Sequence, residues 1–292
     1  MAMTAAMLGA ALLHDAGAFS WTRFDVHPSV LSGCALLAGL YLAAVGPWRA
    51  RLGGPEAERV ARGRVACFLA GVLILFLVLN GPVHDLSDNF LFSAHMFQHL
   101  WLMLIVPPLW LLGLPAWLVR RALRVRGVRP VARSLTHPLV AYVAYNVVFL
   151  GWHLPIFYNA ALVNHDLHIV QHLMFLAAAT MMWWPVLNPA SELQRLPEGL
   201  LQMAYLFAFA VPATAVSAFI TMSDEVLYWF YEGAPRLFGL TPLEDQRLGG
   251  LLMWVPGMLI FWAAISAVYF RWTKDEIRSW RKAPESRLSN RS

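Results

Sequence analysis

The chain has 292 residues, of which 59% are hydrophobic and 13% charged, and its 22 basic and 17 acidic residues give a formal net charge of +5. Soluble globular domains average about 45–50% apolar and about 25% charged residues, so this composition excludes both a disordered chain and an ordinary soluble domain. It favours a membrane protein with several helices, because each crossing of a hydrocarbon core of about 30 Å needs about 20 apolar residues.

Seven apolar runs, bounded by charged residues or prolines, are long enough to cross a membrane if some helices tilt. They predict an all-α bundle of seven transmembrane helices, at about residues 29–47, 65–81, 93–118, 138–155, 166–187, 200–222 and 249–270. Prolines inside these runs predict kinked helices whose freed carbonyls need partners on neighbouring helices. These prolines are Pro107, Pro108, Pro212 and Pro256.

The basic residues are distributed unevenly between the predicted connections. Nineteen of the 22 follow spans one, three, five and seven, and only Arg23, Arg236 and Arg247 fall on the other side. Because cytoplasmic loops are enriched in Lys and Arg, the N-terminus is expected outside and the C-terminus in the cytoplasm. The predicted organisation is an extracytoplasmic segment at 1–28, a transmembrane domain at 29–270 and a basic cytoplasmic tail at 271–292. Nucleic acid is not an expected partner.

Ten histidines are a high number for so apolar a chain, and an imidazole inside a membrane usually marks function. In the predicted topology nine of them lie towards the outer side and only His137 towards the inner side. His95 and His99 form an i, i+4 pair at the start of span three, and His168 and His172 form another at the start of span five. This spacing puts two imidazoles on one helix face, about one turn apart.

His153, in the run Trp152-His153-Leu154-Pro155, is expected at a similar depth. The sequence therefore predicts a metal site near the outer face, because one helix face can offer two nitrogen ligands without distortion. The predicted ligands are His95, His99, His153, His168 and His172, with Met96, Met174, Met253, His84, Asp85 and His165 as accessory candidates. Imidazole together with thioether favours copper, especially Cu(I), over magnesium or calcium.

Structural roles compete with this interpretation. A single i, i+4 histidine pair is weak support for a metal, because interfacial histidines also cap helices and bond carbonyls across a bundle. His137 precedes Pro138 and is interpreted as a helix-start residue, and His14 and His27 as solvated loop residues. Asp85 and Asp88 beside His84 could orient its imidazole, but helix capping or a solvated position explains them equally well. Cys34 and Cys67 stand singly in apolar runs and predict neither a disulfide nor a thiolate site.

Three sequence blocks together resemble the multi-spanning CtaG family of cytochrome c oxidase assembly factors. They are Ser93-Ala-His95-Met96-Phe-Gln98-His99 with Pro107-Pro108 and Gly113-Leu-Pro115; Trp152-His153-Leu-Pro155 with Tyr158-Asn159, His168-Ile-Val-Gln-His172 and Trp184-Pro185-Val-Leu-Asn-Pro189; and Asp245-Gln246-Arg-Leu-Gly249-Gly250-Leu-Leu-Met253-Trp254. The resemblance covers roughly residues 80 to 270. It is to the polytopic family, not to the single-span copper chaperone that shares its name.

The resemblance implies a bacterial plasma-membrane protein, not an enzyme, that is needed to make an active haem-copper oxidase without being one of its subunits. It implies copper handling, with the same five histidines as ligands and with Gln246 and Met253 in the third block. Oxidase subunits, membrane lipid and optionally a second copy of the chain are the expected partners. The mechanism expected is ligand exchange, in which a partner's own histidines take the ion over.

Three other functions stay open at this point. A bis-histidine pair on two helices could hold haem, as in membrane cytochromes. A histidine-box di-iron enzyme is also conceivable, although such boxes normally face the cytoplasm and these are predicted to face outward. The third is a scaffold in which the histidines only stabilise the bundle.

Overall fold

The computed structural model describes residues 19–54, 57–190, 192–193 and 195–282, and these residues form helices and loops with no strand. The helices are α1 (Pro28–Val45), α2 (Arg49–Gly53), α3 (Arg62–Val78), α4 (Gly81–Asn89), α5 (Phe92–Leu104), α6 (Val106–Gly113), α7 (Ala116–Leu123), α8 (Val128–Leu135), α9 (Pro138–His153), α10 (Pro155–Val163), α11 (His165–Leu187), α12 (Leu200–Met222) and α13 (Pro242–Lys282), with a 3-10 turn at Trp229–Glu232. Of the predicted terminal segments, residues 1–18, with His14, and residues 283–292 lie outside this description.

Five helical segments of the described chain are long and apolar enough to cross a membrane: α1, α5 with α6, α11, α12 and α13. The number rises to seven if the bent pairs α3–α4 and α8–α9, with bends of 48° and 70°, each count as one span. Every predicted apolar run coincides with one of these segments, so the all-helical class is confirmed. The count of seven and the orientation of the termini stay predictions.

The third predicted span is broken where prolines were expected to disturb it. α5 ends at Leu104 and α6 begins at Val106, with Pro107 in its first turn. Pro107 has no N–H for the carbonyl of Met103 four residues earlier. The indole Nε1–H of Trp183 on α11 donates to that carbonyl at 3.1 Å. A neighbouring helix thus satisfies the group that proline leaves free, as expected in a membrane bundle. α12 and α13 run on through Pro212 and Pro256.

Several short helices have no counterpart in the apolar runs, because they are too short or too polar to register as spans. α4, which mixes Pro82, His84 and Asp88 with few apolar residues, is the most consequential, since it lies beside the predicted histidines. The last helix is longer than its predicted span at both ends, from Pro242 to Lys282. It packs along α12 and α5, while α9 packs on α11 and α3 on α6.

Candidate metal centre

A carboxylate from the far end of the chain fixes the N-terminus of α5, the helix that carries His95 and His99. Asp245 on α13 is fully buried. Its Oδ2 accepts from the Phe92 N–H at 2.7 Å, and its Oδ1 accepts from the Ser93 N–H at 3.1 Å and the Ser93 hydroxyl at 2.5 Å. The first N–H groups of a helix have no partner within it, and a negative charge there is favourable. Asp245 therefore sets the position of the first histidine pair.

Two glycines of the same block let α13 approach its neighbours closely. A Cβ atom on Gly249 would collide with the ring of Phe92, and one on Gly250 would lie 2.8 Å from the backbone nitrogen of Thr221. Gln246 accepts from the Leu227 N–H at 2.7 Å and so holds the loop after α12. The third block of the sequence thus has a structural explanation.

The second histidine pair is positioned by a local helix cap. Asn164 precedes α11, and its Oδ1 accepts from the Leu167 N–H at 3.1 Å. Asparagine is among the preferred residues for this position. The helix therefore starts at His165, and the i, i+4 spacing brings His168 and His172 to the side of α11 that faces α5.

These two pairs meet in one group, here called the imidazole cluster: His95, His99, His168 and His172. The Nε2 atoms of His95 and His99 are 2.8 Å apart. The rings of His95 and His168 stack with centroids 5.1 Å apart, and those of His99 and His172 lie 5.3 Å apart. One ring nitrogen from each of His95, His168 and His172 lies within 4.8 Å of the others.

Hydrogen bonds fix which nitrogen of His95 carries the proton. The Tyr231 hydroxyl lies 2.7 Å from the Ser87 carbonyl and 3.2 Å from His95 Nδ1. A carbonyl only accepts, so the single hydroxyl proton is donated to Ser87 and the tyrosine oxygen accepts from His95 Nδ1–H. His95 Nε2 therefore presents its lone pair to the cluster.

Asp88 has the same effect on His168. Its Oδ2 lies 3.5 Å from His168 Nδ1 and 3.4 Å from His84 Nε2. The carboxylate favours a proton on His168 Nδ1, which leaves Nε2 as the free ligand atom. A carboxylate that orients a histidine in this way is a common arrangement behind metal-binding imidazoles. Gln98 holds the other side of the His84 ring, because its side-chain amide donates to His84 Nδ1 at 3.1 Å.

Three imidazole nitrogens in this region are buried and lack a hydrogen-bond partner within the described part of the chain. They are His168 Nε2, His172 Nε2 and His99 Nδ1. A buried polar atom without a partner is costly, so each such atom in a folded protein calls for an explanation. Two nitrogens that bind one ion at about 2.0–2.1 Å lie about 3 Å apart, so small side-chain shifts would let the cluster enclose a metal.

His153 stands apart from the cluster. Its Nδ1–H donates to the Phe149 carbonyl at 2.6 Å, and its own carbonyl accepts from the Tyr228 hydroxyl at 2.9 Å. His153 lines a separate cavity together with His99. The five predicted ligands therefore divide into four that meet and one that lies on the other side of His99.

Several of the predicted accessory residues also lie outside the imidazole cluster. Asp85 faces Arg23 at 3.1 Å and Asn89 at 2.9 Å. Met174 is exposed on α11. Met96 and Met253 line the cavity that contains His153.

A cleft of about 240 Å³ on the other side of the cluster is bordered by several of the remaining histidines. His84 and His165 line it together with His27, His168 and His172. The rings of His27 and His84 are 4.6 Å apart, so His27 belongs to this layer and not to a free loop. His137 lies at the opposite end of α9, where its Nδ1 accepts from the Leu139 N–H and confirms the helix-start interpretation.

Sequence reasoning missed Tyr231, which orients His95 from a distant part of the chain. Tyr231 lies 136 positions from His95 and has no spacing relationship to it. Asp88 was among the residues expected to orient His84 or to cap a helix, and it does lie 3.4 Å from His84 Nε2; its contact with His168 was not predicted. Gln171 was not predicted as a site residue either. Its buried side-chain amide has no hydrogen-bond partner among the residues described.

Comparison with known proteins identifies the family to which the chain belongs. The model of the family described as cytochrome c oxidase caa3 assembly factor (Caa3_CtaG) matches residues 39–275. An uncharacterized protein of Mycobacterium leprae (strain TN) is 25% identical over 278 residues, which cover 89% of this chain and 40% of that protein. Uncharacterized proteins of Mycobacterium bovis and Mycobacterium tuberculosis are each 27% identical over 235 residues, covering 74% of this chain and 35% of theirs. The chain thus spans less than half of these relatives. No solved structure gives a significant match.

Proposed function

The chain belongs to the family of cytochrome c oxidase caa3 assembly factors, and from this membership we propose that it holds copper at the imidazole cluster and passes the ion to an oxidase subunit. The observation that carries the proposal is the convergence of ring nitrogens from His95, His168 and His172 within 4.8 Å. Unpartnered Nε2 atoms on His168 and His172 support it further.

The donor set suits copper as a cargo. The cluster offers neutral imidazole nitrogens, and its carboxylate, Asp88, lies behind His168 at 3.5 Å. Imidazole ligands suit copper, zinc and iron, whereas magnesium and calcium prefer oxygen. The ring of Phe175 lies 4.7 Å from that of His99 and helps to keep water away from the bound ion. The chemistry is exchange of ligands, with no covalent step.

The proposal includes a membrane topology. The chain would cross a bacterial plasma membrane seven times, with the N-terminus outside and the C-terminus in the cytoplasm. In this orientation the cluster would lie near the outer face. Two observations support this arrangement: the cluster lies at the His153 end of the bundle, and the arginine-rich helices α7 and α8 lie towards the other end of α9. The cleft beside His84 and His165 would then give the ion and the partner access from outside.

The test is copper content after purification from copper-supplemented cells. We expect at least one copper ion per chain in the parent protein and the loss of one ion in a His168→Ala/His172→Ala variant. His137→Ala, which changes a histidine at the opposite end of α9, is the matched control and should keep its copper. Oxidase activity of cells that carry each variant gives the second readout. Absence of copper from the parent, or full copper in the double variant, would overturn the proposal.

The same preparations test the other functions. A Soret absorption band would indicate that the protein binds haem and not copper. Bound iron together with substrate turnover would indicate a di-iron enzyme. Normal oxidase assembly in a variant that lacks all four cluster histidines would leave a scaffold as the explanation.

A further inference from the structure

A small cavity of about 40 Å³ lies between α5, α9, α12 and α13, on the far side of His99 from the cleft. Its lining is unusually rich in sulfur. Four of the 12 methionines of the chain border it: Met96, Met103, Met253 and Met258. A cavity of this size is large enough for an ion or a few water molecules.

The helical spacing explains how the donors come together. Met96, His99 and Met103 lie at positions i, i+3 and i+7 of α5, so they share one face of the helix. Met96 and Met103 are buried to 0% and 4% exposure. Met253 and Met258 approach from α13, and the Thr214 hydroxyl on α12 donates to the Met258 sulfur at 3.2 Å.

Two imidazoles complete the lining. His99 is 4% exposed, and its Nδ1 has no hydrogen-bond partner among the residues described. Its Nε2 faces the lone pair of His95 Nε2 at 2.8 Å, so in the free protein the His99 proton lies on Nε2 and Nδ1 carries a lone pair. In His153 the Nδ1–H is donated to Phe149, so the lone pair lies on Nε2.

The resulting donor set is neutral and soft. Four methionines and two histidines are among the lining residues of the cavity, the others are aliphatic, aromatic, glycine or hydroxyl residues, and none of the described lining residues is a carboxylate. Thioethers select Cu(I), while hard divalent ions need charged or carbonyl oxygens. Methionine also fills irregular gaps in ordinary cores. Here, however, the space is left open and two imidazoles border it.

We propose that this methionine-lined cavity is a second binding site for a soft monovalent ion, Cu(I), and that His99 is shared between it and the imidazole cluster. The inference rests on the proposed copper-handling function and adds a second position for the ion. Because His99 borders both sites, an ion could move from imidazole to thioether ligands by exchanging one ligand at a time.

The experiment measures Cu(I) stoichiometry under anaerobic conditions together with X-ray absorption at the copper edge. We expect about two ions per parent chain and both nitrogen and sulfur scattering. A Met96→Leu/Met103→Leu/Met253→Leu/Met258→Leu variant should lose the sulfur scattering and one ion. Leucine is close to methionine in volume, so the fold should tolerate these changes. Met174→Leu, at an exposed position outside the cavity, is the matched control and should keep both ions.

The parent spectrum tests the inference even if the quadruple variant fails to fold. A parent with copper and nitrogen scattering alone would overturn the second site and leave the proposed function intact. A parent with sulfur scattering that survives in the quadruple variant would also overturn it. Sulfur-bound copper that persists at full stoichiometry in His168→Ala/His172→Ala would instead refute the imidazole cluster and retain the methionine site.

Discussion

Replacing Asp245 with asparagine should destabilise the bundle, because the carboxylate serves two backbone donors of α5 with different oxygens. Oδ2 takes the Phe92 N–H at 2.7 Å, and Oδ1 takes the Ser93 N–H at 3.1 Å. An amide has only one acceptor oxygen, so in either orientation its NH₂ group faces an N–H. One buried donor then lacks a partner, which costs about 1–3 kcal/mol.

That loss corresponds to about a 5- to 140-fold change in the unfolding equilibrium, since about 1.4 kcal/mol is a factor of ten. The assay is denaturant unfolding in detergent micelles, followed by the fluorescence of the 13 tryptophans. Asp224→Asn is the control, because that carboxylate is 95% exposed and pairs with Arg247 at the surface. Its midpoint should stay unchanged, as exposed ion pairs contribute little. Equal midpoints for Asp245→Asn and the parent protein would refute the capping role.

Two further outcomes follow from the same geometry. Tyr231→Phe removes the oxygen that accepts from His95 Nδ1–H, so copper affinity should fall about 10- to 100-fold in a competition titration, with the fold unchanged by circular dichroism; parent-like affinity would show that the hydroxyl does not orient the imidazole. Gly249→Ala should lower stability by about 1–3 kcal/mol, since the new Cβ collides with Phe92. Gly33→Ala, with no atom within 4 Å of its Cβ, should leave thermal stability equal or higher, and equal melting of the two variants would contradict the close approach of α13.

The long apolar helices could be predicted because each depends on local composition. The i, i+4 spacing placed His95 with His99 and His168 with His172, and the two pairs do meet. Position along a helix is a local property, so this part of the site was accessible from the sequence. Short polar helices such as α4 were missed because apolar counting does not detect them.

The division of the histidines depends on rotation of the helices, which spacing alone does not determine. His153 lies at the end of α9 as expected, yet its Nδ1–H bonds the Phe149 carbonyl and its ring borders a different cavity. The hydroxyl that orients His95 comes from Tyr231, in a 3-10 turn between α12 and α13. Contacts across such sequence distances come from tertiary packing and leave no local pattern.

Because α5 depends on Asp245, the metal site can be completed only late in synthesis of the chain. The ribosome makes the histidines of α5 and α11 well before it makes α13, and until then the first turn of α5 has no carboxylate to hold it. The tyrosine that orients His95 is likewise made after both histidine pairs. A nascent chain therefore carries its imidazoles without the groups that arrange them, and competence to hold a metal would be acquired only when the last helix has entered the bundle.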